Sequence, residues 1–105
     1  MMSLLPGVGM TTLRVMSTMV FVHAFGSSSR AWTPQVQAFA DRHRVLAPDL
    51  PGHGEAADTP FTLDRAVDRV HATIAEAGDN AGVIGISGGA VVALLACLEH
   101  PTQVA

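Results

Sequence analysis

The chain has 105 residues, of which 49% are hydrophobic and 14% charged, and its net charge is −3. That length is enough for one small domain, and the hydrophobic share excludes a disordered chain. The six basic residues are all Arg and are scattered, so nothing points to a nucleic-acid partner, and the absence of Lys excludes a Walker-type phosphate loop and a Schiff-base lysine.

Five methionines, at positions 1, 2, 10, 16 and 19, leave the starting residue open, and residues 1–19 read as an N-terminal tail. No basic segment precedes the apolar residues 15–25, which Ser17, Thr18 and His23 interrupt, so no secretory signal is expected. Residues 83–98 are too short for a membrane span and carry Ser87. The expectation is a cytoplasmic protein. Val20, Phe21 and Val22 form a continuous apolar run, the pattern of a strand buried on both faces. Residues 24–31, with Gly26 and three serines, read as a loop. Thr33 as N-cap and Pro34 at the first helical position predict a helix with Val36, Phe39 and Ala40 on one face. Residues 44–47 predict a second strand.

Residues 49–62 are broken by Pro51, Gly52, Gly54 and Pro60 and read as a loop. Thr62 predicts the next N-cap, Asp64 sits in the first turn where the dipole favours it, and Leu63, Val67, Val70 and Ile74 form the apolar stripe. Gly78-Asp79-Asn80 ends that helix. Residues 83–86 predict a third strand, 87–89 a tight turn, and 90–98 a helix apolar nearly all round, stopped by Pro101. The order strand, helix, strand, helix, strand, helix gives an α/β fold: a three-layer parallel sheet with right-handed βαβ crossovers. Ligands in such sheets bind at the carboxyl ends of the strands, where the loops after the first and third strands lie.

Gly85-Ile86-Ser87-Gly88-Gly89 fits G-x-S-x-G. The reason for that pattern is steric: the serine stands on a sharp strand-to-helix turn whose flanking positions must lack bulk. The following helix then aims its free N–H groups at the same spot, so an oxyanion there would meet the N–H of Gly88. Gly52-His53-Gly54-Glu55-Ala56-Ala57 fits G-x-G-x-x-A, but it follows Pro51 and leads into a loop, so a dinucleotide site is not expected.

These motifs fall into a series: Val22-His23-Ala24-Phe25-Gly26, Ser29-Arg30-Ala31-Trp32, Asp49-Leu50-Pro51-Gly52-His53-Gly54, Gly85-Ile86-Ser87-Gly88-Gly89 and His100-Pro101. In order and spacing the series resembles the α/β-hydrolase superfamily, and more narrowly its esterase, lipase and acyl-hydrolase branch, over about residues 19–105. The resemblance implies the N-terminal part of that fold, a nucleophile at Ser87, an oxyanion hole from the backbone N–H groups of Phe25 and Gly88, and a structural turn at 49–54. It implies a small-molecule ester or acyl substrate and neither a metal nor an organic cofactor. A serine at the elbow sets the chain apart from the dehalogenase and epoxide-hydrolase branches, which place Asp there. Where the family usually has Gly after the first-strand His, this chain has Ala24, which fits only if φ there is negative.

In this family the acid and the catalytic His follow the nucleophile. Eighteen residues, 88–105, follow Ser87. Residues 20–105 are therefore expected to be a partial domain that stops before its acid and base and is inactive by itself. His100 lies roughly 15–20 Å from the Ser87 hydroxyl if the intervening helix is regular, too far to be its base. His23 and His53 read as structural, His43 and His71 as surface residues, and Cys97 as a buried small hydrophobe. No His pair has zinc-ligand spacing with a third ligand in view. The expected activity is that of a serine hydrolase forming an acyl-enzyme at Ser87. The rival is a non-catalytic remnant or binding module, and an acyltransferase or cofactor-free oxygenase of the same family stays open. The resemblance also implies that the first strand lies between the other two, so that the third strand presents an open edge, and self-association through it is expected.

Overall fold

A computed structural model describes residues 17–78 and 80–104 of the chain. The expectations about the starting methionine and most of the N-terminal tail fall outside these residues.

The first strand, β1, is Thr18–Val22. It starts two residues before the apolar run because Thr18 already pairs on both sides, with Arg44 and with Ala81. β2 is Arg44–Leu46 and β3 is Ala81–Gly85. The sheet order is β2-β1-β3 with both pairings parallel, as the crossover pattern requires. Three α-helices complete the fold: α1 at Thr33–Phe39, α2 at Leu63–Glu76 and α3 at Gly88–Glu99.

Strand alternation divides the side chains of β1 between two layers. Val20 and Val22 are fully buried in a core shared with Val67, Val70 and Ile74 of α2 and Val92, Ala93 and Ala96 of α3. Phe21 points the other way, and its ring lies 4.8 Å from that of Trp32 and 6.4 Å from that of Phe39 in α1. Helices therefore cover both faces of the strand, which explains why its sequence shows no polar alternation.

Several boundaries differ from the sequence pattern for local reasons. Thr33 does not cap α1. A 3-10 turn at Ser29–Trp32 precedes the helix, Ser28 caps that turn by accepting the Arg30 N–H at 3.3 Å, and Trp32 occupies the N-cap position of α1. α1 buries no residue fully, and Ala40 lies exposed just past its end. Thr62 does cap α2, accepting the Arg65 N–H at 3.0 Å. Leu63 is exposed, and Ala66 takes its place in the buried stripe. α3 begins two residues earlier than expected, directly after Ser87. The outer edge of β3 is not fully open: Val104 bridges Ala81 in parallel. Among the described residues no helix is long and apolar enough to cross a membrane.

Candidate active site

β3 leads directly into Ser87, where the backbone leaves the regions that most residues occupy. Ser87 has φ 55° and ψ −124°. Among the described non-glycine residues only Asn80 shares a positive φ. A conformation of this kind costs on the order of 1–3 kcal/mol and persists where its surroundings over-determine it. Here two close approaches do so. A Cβ on Gly85 would meet the backbone of Gly89 and Ala90, and a Cβ on Gly89 would meet the carbonyl oxygens of Val22 and His23. The reversal from strand to helix is that tight, and it leaves Ser87 exposed at its tip. The Ser87 side chain makes no hydrogen bond with another described residue.

Ser87 is also the N-cap residue of α3, so the first amides of the helix open on the same space. Two of them are already taken: Gly89 N–H donates to the Ile86 carbonyl and Ala90 N–H to the Ser87 carbonyl, both at 2.9 Å. The Gly88 N–H has no partner among the described residues. The loop after β1 lies against the same turn, and the Phe25 ring fills the space that a Cβ on Gly88 would need. In that loop Ser27 N–H donates to the Ala24 carbonyl at 3.0 Å, and Gly26 N–H donates to Nε2 of His53 at 2.8 Å. The Phe25 N–H is left without a partner among the described residues. Ala24 keeps a negative φ, so the alanine there is unstrained. Ser87, Gly88 and Phe25, far apart in sequence, thus meet at the carboxyl ends of β1 and β3.

Five histidines take quite different positions. His23 is fully buried, and His53 lies half-buried in the turn facing it. Both ring nitrogens of each are engaged by backbone groups: His23 by Ala24 and Leu50, His53 by Pro51 and Gly26. His43 bonds Ser17 through Nδ1 at 2.8 Å. His71, expected at the surface, is half-buried. Its Nδ1 lies 2.6 Å from Oε1 of Gln103, and its ring stacks on that of His100 at 3.6 Å. His100 is the C-cap of α3, so the 12-residue helix puts it on the order of 18 Å from Ser87. Cys97, expected to be buried, is only partly so. Among the described residues no group of three side chains could hold a metal ion.

Asp49 anchors the turn that faces the β1 loop. Burial acts to raise its pKa. The N–H of Ser29, 2.7 Å from Oδ1, and that of Glu55, 3.1 Å from Oδ2, outweigh burial and hold the carboxyl below its ordinary value. Gly54 is required beside it, since a Cβ there would land on the carboxylate. A cavity of about 340 Å³ beside Asp49 is lined by Ser28, Ser29, Arg30, Asp49, Gly54 and Glu55. Ser87 is not among its walls, so it is not where a group attached to Ser87 would sit. Sequence alone did not reveal the cross-bonding of His23 and His53 or the placing of Phe61 beside Phe25, ring centroids 5.1 Å apart. Each joins residues nearly thirty or more positions apart, with no periodic signal between them.

Comparison with known proteins bears on the fold that carries this site. A profile described as the alpha/beta hydrolase family covers residues 19–105. A pimeloyl-[acyl-carrier protein] methyl ester esterase of Edwardsiella ictaluri is 34% identical over 87 residues, covering 82% of this chain and 33% of that protein. An (E)-2-((N-methylformamido)methylene)succinate hydrolase of Acinetobacter baylyi is 29% identical over 83 residues, covering 73% of this chain and 29% of that protein. A solved epoxide hydrolase variant of Vigna radiata is 26% identical with a TM-score of 0.74, covering 85% of this chain and 30% of that one. The chain thus spans about a third of the length of the curated relatives it matches.

Proposed function

This chain belongs to the alpha/beta hydrolase family, and on that premise we propose that it carries the nucleophile of a serine hydrolase acting on carboxylic esters or related acyl compounds. The observation behind this reading is the strained Ser87, held at φ 55° between β3 and α3 with its side chain exposed. The close approaches of Gly85 and Gly89 fix that conformation but do not call for a serine in it, whereas an attacking hydroxyl needs the exposure that it gives.

The proposed reaction runs in two stages. Ser87 Oγ attacks the ester carbonyl carbon and gives up its proton to a general base, while the C=O π electrons move onto oxygen. The N–H groups of Phe25 and Gly88 stabilise that oxyanion. Its collapse expels the alcohol and leaves an acyl-enzyme, which water then hydrolyses. His23 and His53 have no nitrogen to spare for the first proton, and His100 lies at the far end of α3. The base on this reading meets Ser87 from outside the described residues. The relative named as a methyl ester esterase supports an ester substrate, and the one named as a succinate-derivative hydrolase supports hydrolysis more broadly.

The engaged histidines also favour a second reading, a non-catalytic module of the same fold, because a serine without a base is a weak nucleophile. A fluorophosphonate probe separates the two. Labelling of the purified protein that disappears in Ser87→Ala supports the hydrolase. A folded sample that resists labelling supports the module.

A further inference from the structure

Two loops meet at the candidate site, and two histidines bind them reciprocally. His23, at the end of β1, accepts the Leu50 N–H from the opposing turn at 3.0 Å. His53, in that turn, accepts the Gly26 N–H from the β1 loop at 2.8 Å. Each donates its Nδ1–H to a carbonyl of its own loop, Ala24 at 2.8 Å and Pro51 at 3.0 Å. With Nε2 accepting and Nδ1 donating, each ring is neutral and in the same tautomer. Their centroids are 5.0 Å apart.

The bonds fall on the two peptide units that flank the Cα of Phe25. The Ala24–Phe25 unit is held by its carbonyl, which accepts from His23 and from Ser27. A trans peptide directs its N–H opposite to its C=O, so this also fixes the line of the Phe25 N–H. The Phe25–Gly26 unit is held by its N–H, through His53. The same bond takes up the neighbouring Gly26 N–H, and Gly26, at φ 84°, lets the chain make the turn.

We propose that His53 is a positioning residue for the oxyanion hole: by accepting the Gly26 N–H it fixes the loop in which the Phe25 N–H faces the reacting carbonyl oxygen at Ser87. This rests on the hydrolase reading given above. His53 touches no reacting atom and acts through the backbone of Phe25 and Gly26. Its fully buried partner His23 holds the preceding peptide, but a substitution there also removes core packing, so His53 is the site to test.

The test pairs two substitutions. His53→Leu removes the acceptor, whereas the side-chain carbonyl of His53→Gln can take its place. On a p-nitrophenyl ester, in protein that includes the segment carrying the general base, His53→Leu is expected to lower kcat roughly 10- to 100-fold, short of the full loss of an oxyanion donor. KM should stay within about twofold, and His53→Gln should recover most of the loss. Amide hydrogen exchange at Gly26 should quicken in His53→Leu and stay slow in His53→Gln. Equal losses in both variants, a loss confined to KM, or unchanged Ser87-dependent turnover while Gly26 exchanges faster would each overturn the positioning role and leave the nucleophile intact. Turnover that survives Ser87→Ala, or no Ser87-dependent turnover in parent protein supplied with the segment that carries the general base, would remove the hydrolase reading and this proposal with it.

Discussion

Gly89 lies against His23 so closely that a Cβ on the glycine would meet the His23 carbonyl oxygen, and that of Val22 beside it. Both obstacles are backbone, so no rotamer change relieves them; α3 would have to withdraw from β1. Gly89→Ala should therefore destabilise the fold by about 1–3 kcal/mol. Gly26→Ala meets open space and bears only the penalty of its φ, +84°, on the order of 1–2 kcal/mol. Urea unfolding checks the contrast: with m unchanged, the midpoint of Gly89→Ala should fall further than that of Gly26→Ala. Equal midpoints would mean that the helix withdraws at little cost.

Ser87 stores strain that glycine would release. At φ 55° and ψ −124° a serine carries a conformational cost on the order of 1–3 kcal/mol, and glycine adopts positive φ freely. Glycine loses about 0.5–1 kcal/mol more backbone entropy on folding, which leaves a net gain. Ser87→Gly should thus raise the urea midpoint while abolishing labelling by a fluorophosphonate, and Ser87→Ala should abolish labelling without the gain. A Ser87→Gly protein less stable than the parent would show that the elbow is not strained in solution.

The elbow was legible in the sequence because its constraint is local. Gly85, Ser87 and Gly89 sit within five residues, and the steric rule linking them acts along the chain. The parallel arrangement of β1, β2 and β3 was legible for a similar reason, since continuous apolar strands alternating with helical stretches leave few topologies, whereas the place of β1 in the middle came only from the resemblance to the family. Thr33 misled because Ser28 caps a 3-10 turn that precedes the helix and takes up the start signal. His71 misled because its cover, His100 and Gln103, arrives from the end of α3 and the turn beyond it. Leu63 matched the helical spacing but lies exposed at the first turn of α2, where Ala66 faces the core instead. Periodicity gives the face of a helix, but not which of its ends reaches the core.

Acid should weaken the join between the β1 loop and the Asp49 turn. Burial raises the Asp49 pKa, but the N–H groups of Ser29 and Glu55 prevail and hold it below the ordinary value near 3.8. A carboxyl depressed on folding lends stability that is fully present above its unfolded pKa and is lost as pH falls through the folded one. The parent protein should therefore lose this contribution below about pH 4. Asp49→Asn offers one acceptor where two N–H groups need them, so it should cost about 1–3 kcal/mol at neutral pH. The gap between the two proteins should then narrow as pH drops. Unfolding free energies measured from pH 7 to pH 2.5 check this, and a constant gap would show that Asp49 does not act through its charge.

α3 carries the clearest surface consequence of the fold. Val91, Leu94 and Leu98 share one stripe at the spacing i, i+3, i+7 and are 49%, 60% and 67% exposed, while the core face of the same helix holds Val92, Ala93 and Ala96. Ile86, 55% exposed, adds to the apolar surface at the elbow. Beside the helix, β3 meets Val104 at Ala81. Burying two leucines is worth at most about 3–6 kcal/mol, below the roughly 8 kcal/mol of a micromolar complex, so the association expected is weak and needs Val91 and Ile86 in the contact as well. The 105-residue chain should accordingly elute from size exclusion as a concentration-dependent oligomer. Leu94→Glu combined with Leu98→Glu should shift it to monomer while the far-ultraviolet circular dichroism stays the same, because neither side chain belongs to the core. If the parent chain is monomeric by light scattering at 100-fold different concentrations, the stripe is not an association surface.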